Sequence, residues 1–147
     1  MPAIISALVV AAALIQTPPA NLACSLLTPA QVSSLIGAAR TLPVTASPTG
    51  STCMFQNNDK VVTVLMASPS TADAAQGLFN AKKRIASGAD VAGWGVPAYA
   101  GVMRPAAIVG VLKKQTLIEV KVIDGTQTPE AIGAKLQAVM KEVAAGK

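Results

Sequence analysis

The sequence predicts an α+β fold, a single domain in which an antiparallel sheet of four to five strands is backed by helices. Three observations lead there. Two segments open with Thr-Pro and then carry apolar residues at helical spacing, at Thr28-Pro29 and Thr128-Pro129. Apolar strand patterns mark residues 60–67 and 106–123. The predicted strands are joined by short polar stretches, "NND" and "KKQ", which suit hairpins rather than the long crossovers of a parallel sheet. The order along the chain reads α-β-β-α-β-β-β-α.

The first fifteen residues, "MPAIISALVVAAALI", carry no charge, and Ser6 is the single polar residue from Ala3 to Ile15. A membrane span needs about 20 apolar residues, whereas this run matches the apolar region of a secretory signal. "QTPPANLAC" follows, with prolines that break a helix and small residues, Ala20 and Ala23, that suit a peptidase. Residues 1–23 are therefore predicted to be a signal peptide and its cleavage region, and 24–147 a single α+β domain. No Lys or Arg precedes the apolar run, which is unlike most signals. An apolar helix packed on the domain is the competing reading.

Helix one starts at Thr28, whose hydroxyl can cap it, with Pro29 in the first turn and Gln31 placed to complete a capping box. Leu27 and Val32 have the spacing of a hydrophobic staple, Val32, Leu35 and Ile36 form the buried stripe, and Gly37 ends the helix. Residues 38–51, "AARTLPVTASPTGS", lack periodicity and predict a connecting loop. "TCMFQ" and "KVVTVLMA" then predict a hairpin about "NND". The second helix is expected from Ser70 to Ala86, capped by Ser70, with Ala75, Leu78, Phe79 and Ile85 on its apolar side. Lys82, Lys83 and Arg84 lie near its C-terminus, where cations meet the negative end of the helix dipole.

A glycine-rich link leads through a strand around Tyr99 into "AAIVGVLKKQTLIEVKVID". Its second half alternates, with Ile118, Val120 and Val122 on one side and Leu117, Glu119, Lys121 and Ile123 on the other, so one sheet face is expected to meet solvent. Lys113 and Lys114 are expected at a solvated hairpin tip. The last helix runs from the Thr128 cap, burying Ile132, Leu136, Val139, Met140 and Val143.

The 147 residues contain two cysteines, no histidine and a net charge of +5. In an exported chain an even cysteine count favours a disulfide, here Cys24–Cys53. A lipid anchor on Cys24 is the rival, since "NLAC" ends in a small residue before cysteine. Asn21, however, stands where a lipoprotein signal has an aliphatic residue, and lipidation would leave Cys53 unpaired. A reactive thiol is the third reading, and it would lack a histidine base.

Zero histidines exclude the triad that uses one and remove the commonest metal ligand. The seven acids are scattered over turns, caps and a strand face, so no catalytic residue, metal site or cofactor is predicted. Trp94 and Tyr99 flank a glycine-rich loop and are the candidate contact residues, with aromatic plugs of a small core as the alternative role. Four aromatic residues (one Trp, one Tyr, two Phe) make a poor stacking platform for single-stranded nucleic acid, so none is expected as a partner.

The cysteine followed by "SLLTPAQVSSLIG", the second cysteine in "CMF", and "GWGVPAYA" ahead of two strands resemble small bacterial exported proteins and envelope lipoproteins of unknown function. The shared pattern is Cys-x-Leu-Leu-Thr, Cys-x-aromatic and Gly-x-Gly-x-x-Ala-Tyr. The resemblance spans most of the chain after the leader. It implies export, the crosslink and an α+β domain, and transfers no catalytic residue. The expectation is a noncatalytic, secreted or periplasmic envelope domain that binds an envelope protein or a small ligand. The alternatives are a secreted hydrolase using carboxylates or a serine with lysine, and an accessory lipoprotein attached to the membrane through a lipid on Cys24.

Overall fold

A computed structural model describes residues 20–146, so most of the predicted signal segment, residues 1–19, lies outside it. The chain runs α1 (Leu22–Leu26), α2 (Pro29–Ile36), β1 (Arg40–Ser47), β2 (Gly50–Asn57), β3 (Lys60–Ala67), α3 (Ala72–Ile85), β4 (Ala89–Asp90), β5 (Ala98–Met103), β6 (Ala106–Lys113), β7 (Thr116–Ile123) and α4 (Pro129–Ala144). The strands form one sheet in the order β1-β2-β3-β7-β6-β5-β4, and every neighbouring pair is antiparallel.

Because side chains alternate across a strand, the sheet has two distinct faces. One carries Cys53, Phe55, Val62, Val64, Val109, Val111, Val120 and Val122, which form the main core with the buried sides of α1, α2 and α4. The other face is covered by α3 over β5, β6 and β7, where Ala75, Phe79 and Ala86 meet Tyr99, Ile108, Leu112 and Leu117. Beneath β1, β2 and β3 that second face stays partly open, with Met54, Thr63 and Leu65 half-buried. The solvent-facing side expected from the alternation in β7 thus holds for the β1–β3 half, while α3 covers the rest.

The α+β class and the disulfide are as the sequence predicts, with seven strands among the described residues in place of four to five. Three elements were not foreseen. β1 occupies the segment predicted as a loop: it is an edge strand, exposed along nearly its whole length, so neither face imposes an apolar pattern. Its Pro43 sits at a register shift in the pairing with β2, an edge position where a missing N–H is tolerated. β4 is a two-residue edge, and α1 is a single short helix ahead of α2.

Capping follows local chemistry. Thr28 accepts from the Gln31 amide while the Gln31 side chain accepts from the Thr28 amide, which completes the capping box. Gly37 closes α2 at φ +80°, a region open to glycine. For α3 the cap is Thr71, not Ser70, and Ile85 is 63% exposed. The buried line on α3 passes through Ala75, Phe79 and Ala86, a spacing close to 3.6 residues per turn that leaves Ile85 off the face. Lys114 forms the exposed tip of the β6–β7 hairpin at φ +55°, whereas the half-buried Lys113 turns inward and donates to the Val143 carbonyl near the end of α4.

Candidate functional site

The first candidate region is the corner where the chain enters the fold. Cys24 on α1 is bonded to Cys53 in the middle of β2, with the Cα atoms 5.0 Å apart. Cys53 is fully buried and Cys24 half-buried. Around this link the backbone of α1 is tied down by polar contacts. Asn21 caps α1 by accepting from the Cys24 amide, and its Nδ2 donates to the carbonyls of both Thr45 and Thr52, each at 3.0 Å. Thr45 and Thr52 face each other across β1 and β2 just past the register shift. The amide of Ala23 donates to the buried Ser51 hydroxyl at 2.9 Å.

Between α1, α2 and the β1–β2 hairpin lies a partly open groove of about 440 Å³. Leu27, Val32, Phe55 and Cys24 line it together with Ser33 and Thr41. Among the described residues no charged side chain lines it. Such a surface suits an uncharged ligand, because a charged one would lose hydration without a counter-charge.

The second region is a buried polar cluster beneath α3. Tyr99 donates its hydroxyl to Glu119, and Lys82 of α3 lies 3.7 Å from the other carboxylate oxygen. The Tyr99 ring also meets Phe79 edge-on, with centroids 5.1 Å apart. Burial, reinforced by the neighbouring Glu119 carboxylate, pushes the Tyr99 phenol well above its ordinary value, so it stays neutral and donates. Lys82, Phe79 and Ala86 project from one side of α3, so the lysine that the sequence assigned to the helix dipole also anchors the helix to the sheet.

Asp124, at the end of β7, is fully buried by its side chain. Its carboxylate accepts from the Thr126 hydroxyl and amide and from Gln127, with Lys60 at 3.6 Å. The Thr126 hydroxyl leads these contacts in holding the Asp124 carboxyl down to about 2, against the opposing effect of burial. The arrangement is a closed turn that leads into α4. Five residues of extended chain separate Asp124 from Glu119, or about 16 Å, more than the roughly 5 to 10 Å that lets two carboxyl groups share one glycosidic bond. Of the remaining acids, Asp90 pairs with Lys83, Glu130 with Arg104, and Glu142 accepts from Gln31. Among the described residues no three His, Cys, Asp or Glu side chains converge as metal ligands, and no helix is long and apolar enough to cross a membrane.

The two aromatics singled out in the sequence do not meet. Tyr99 has no exposed surface and belongs to the cluster under α3. Trp94 is half-buried on the loop before β5 and packs against the core on the opposite side of the sheet. Trp94 is therefore the member of the pair that reaches solvent. Glu119, Asn21 and Ser51 were missed by the sequence reading. A carboxylate inside the alternating run of β7, on the side of Leu117, was the available signal for Glu119; nothing local marks Asn21 as a bridge.

The geometry defines an α+β domain stapled by one disulfide, with an uncharged groove beside the staple. Compared with known proteins, the chain matches no family model, no curated protein and no solved structure.

Proposed function

We propose that the chain is a noncatalytic, exported domain of the cell envelope that binds a small uncharged ligand in the groove beside Cys24–Cys53. The groove carries this reading: its volume of about 440 Å³ falls within the roughly 300–1,000 Å³ typical of small-molecule sites, and its lining mixes apolar residues with Ser33 and Thr41. The disulfide supports an oxidising compartment, since such bonds persist in the periplasm and outside the cell. The noncatalytic part draws support from the acids, whose buried members Glu119 and Asp124 serve as anchors for α3 and for the turn before α4. Thioether lipidation at Cys24 competes for a sulfur already bonded to Cys53, which favours a released domain over a lipoprotein.

The reading is tested by titrating the oxidised domain with an uncharged fluorescent apolar probe, for wild type and for Ser33→Trp. Ser33 is exposed on α2 at the rim of the groove, so an indole there fills the space without entering the core. The expected result is saturable binding to wild type, weakened at least tenfold in the variant. Equal affinity in a folded variant, or no saturable binding to wild type, counts against the groove as the site.

A further inference from the structure

We infer that the peptide bond between Ala20 and Asn21 is the processing site of the exported chain. The inference rests on the export reading above and adds the bond that is cut. An export endopeptidase hydrolyses it: water adds its hydroxyl to the Ala20 carbonyl carbon and its proton to the Asn21 nitrogen, leaving a carboxylate on the leader and an amine on the mature chain.

The sequence alone offers two small residues for this cut, Ala20 and Ala23. The fold distinguishes them. Cutting after Ala23 removes the Asn21 amide that bridges the Thr45 and Thr52 carbonyls, and with it a tie between β1 and β2 beside the register shift. It also removes the fully buried Ala23 methyl, and leaves the Ser51 hydroxyl, itself 4% exposed, without its amide donor. The new ammonium would fall on Cys24, next to the buried disulfide. Four polar contacts and a packed methyl would be lost beside the disulfide that also holds α1 to the sheet.

Cutting after Ala20 removes none of these. Ala20 is exposed, and Asn21 is the first of the described residues whose side chain bonds to the sheet. The same geometry bears on the lipid-anchor alternative, because lipoprotein maturation cuts immediately before the acylated cysteine. That product would begin at Cys24 and lack the whole Asn21–Ala23 clamp.

The test is intact-mass and N-terminal peptide analysis of the full chain expressed with its leader in its own host. The expected first residue is Asn21. A chain starting at Cys24, or at any other residue past the leader, overturns the assigned bond while leaving export standing. A chain that retains Met1 overturns both. An independent measurement compares oxidised domains begun at Asn21 and at Cys24. The shorter one is expected to melt several degrees lower, about 5 °C, from the loss of the buried Ala23–Ser51 hydrogen bond, the part-buried Asn21 contacts and the packed Ala23 methyl, and equal midpoints would remove the physical basis of the inference.

Discussion

Tyr99 reaches Glu119 by lying across Gly110. The three residues face one another on adjacent strands, Tyr99 opposite Gly110 and Gly110 opposite Glu119, so the ring spans the middle strand to place its hydroxyl on the carboxylate. A Cβ at residue 110 would fall well inside contact distance of the ring, and glycine is what lets the ring lie flat there. Lys82 closes the arrangement from above. The result is a neutral phenol, a carboxylate and an ammonium that fix α3 on its half of the sheet.

Replacing Tyr99 with Phe keeps the ring and removes the donor. The Glu119 carboxylate, 8% exposed, then loses a hydrogen bond it cannot replace with water, and the domain should lose about 1–3 kcal/mol. Coupling the change with Glu119→Leu removes the stranded acceptor, so the double variant should be less destabilised than the sum of the singles. Urea unfolding of the four proteins measures the coupling, and strict additivity would show that the hydroxyl and carboxylate do not act together.

Gly110→Ala should destabilise the domain by about 3 kcal/mol, the upper range for overpacking a close-packed interior. The strand backbone cannot retreat easily because β6 is bonded on both sides, to β5 and β7. Tyr99→Ala empties the space above it, so Gly110→Ala should cost much less in that background. Thermal unfolding checks the pair, and an unchanged cost would place the strain somewhere other than the ring.

What was legible beforehand follows from which residues carry a pattern. α2 and α4 announce themselves through a Thr-Pro start and a single buried stripe, and both stripes are buried as the spacing predicts. β7 shows alternation, and its Val120 and Val122 meet the main core while Leu117 lies under α3. β1 shows none, since both its faces are largely exposed and its position depends on backbone pairing with β2 and on Asn21. The groove was equally invisible, because its walls come from α1, α2 and the first hairpin. Tyr99 and Trp94 were conspicuous as rare residues, but rarity does not show which side of a sheet a ring will occupy.

The disulfide closes a stretch of 29 residues. In the chain-entropy treatment such a loop stabilises the fold by about 3–4 kcal/mol. Reduction, or replacement by Cys24→Ser with Cys53→Ala, should lower the urea midpoint by that amount divided by the m-value. The replacement also leaves the Asn21 contacts and the Ala23–Ser51 hydrogen bond as the polar ties between α1 and the sheet, so adding Asn21→Ala should cost more without the disulfide than with it. Independent effects of the two changes would mean that they hold the corner separately.

Acid should unfold the domain partly through Asp124. Its carboxyl titrates near 2 in the folded chain against an ordinary 3.8, so the folded state favours the ionised form more than the unfolded state does. The stabilisation is fully present above about pH 4, falls as pH drops from 4 towards 2, and is gone below both values. Asp124→Asn should therefore flatten this part of the stability profile while lowering stability at neutral pH. Thr126→Val removes the hydroxyl that contributes most to the shift, and should raise the lower end of the decline and shrink it without abolishing it. Urea unfolding from pH 2 to 6, with the carboxyl followed by NMR, separates the two variants. If Thr126→Val leaves the Asp124 titration in place, the backbone amide of residue 126, Gln127 and Lys60 hold the carboxylate without the hydroxyl.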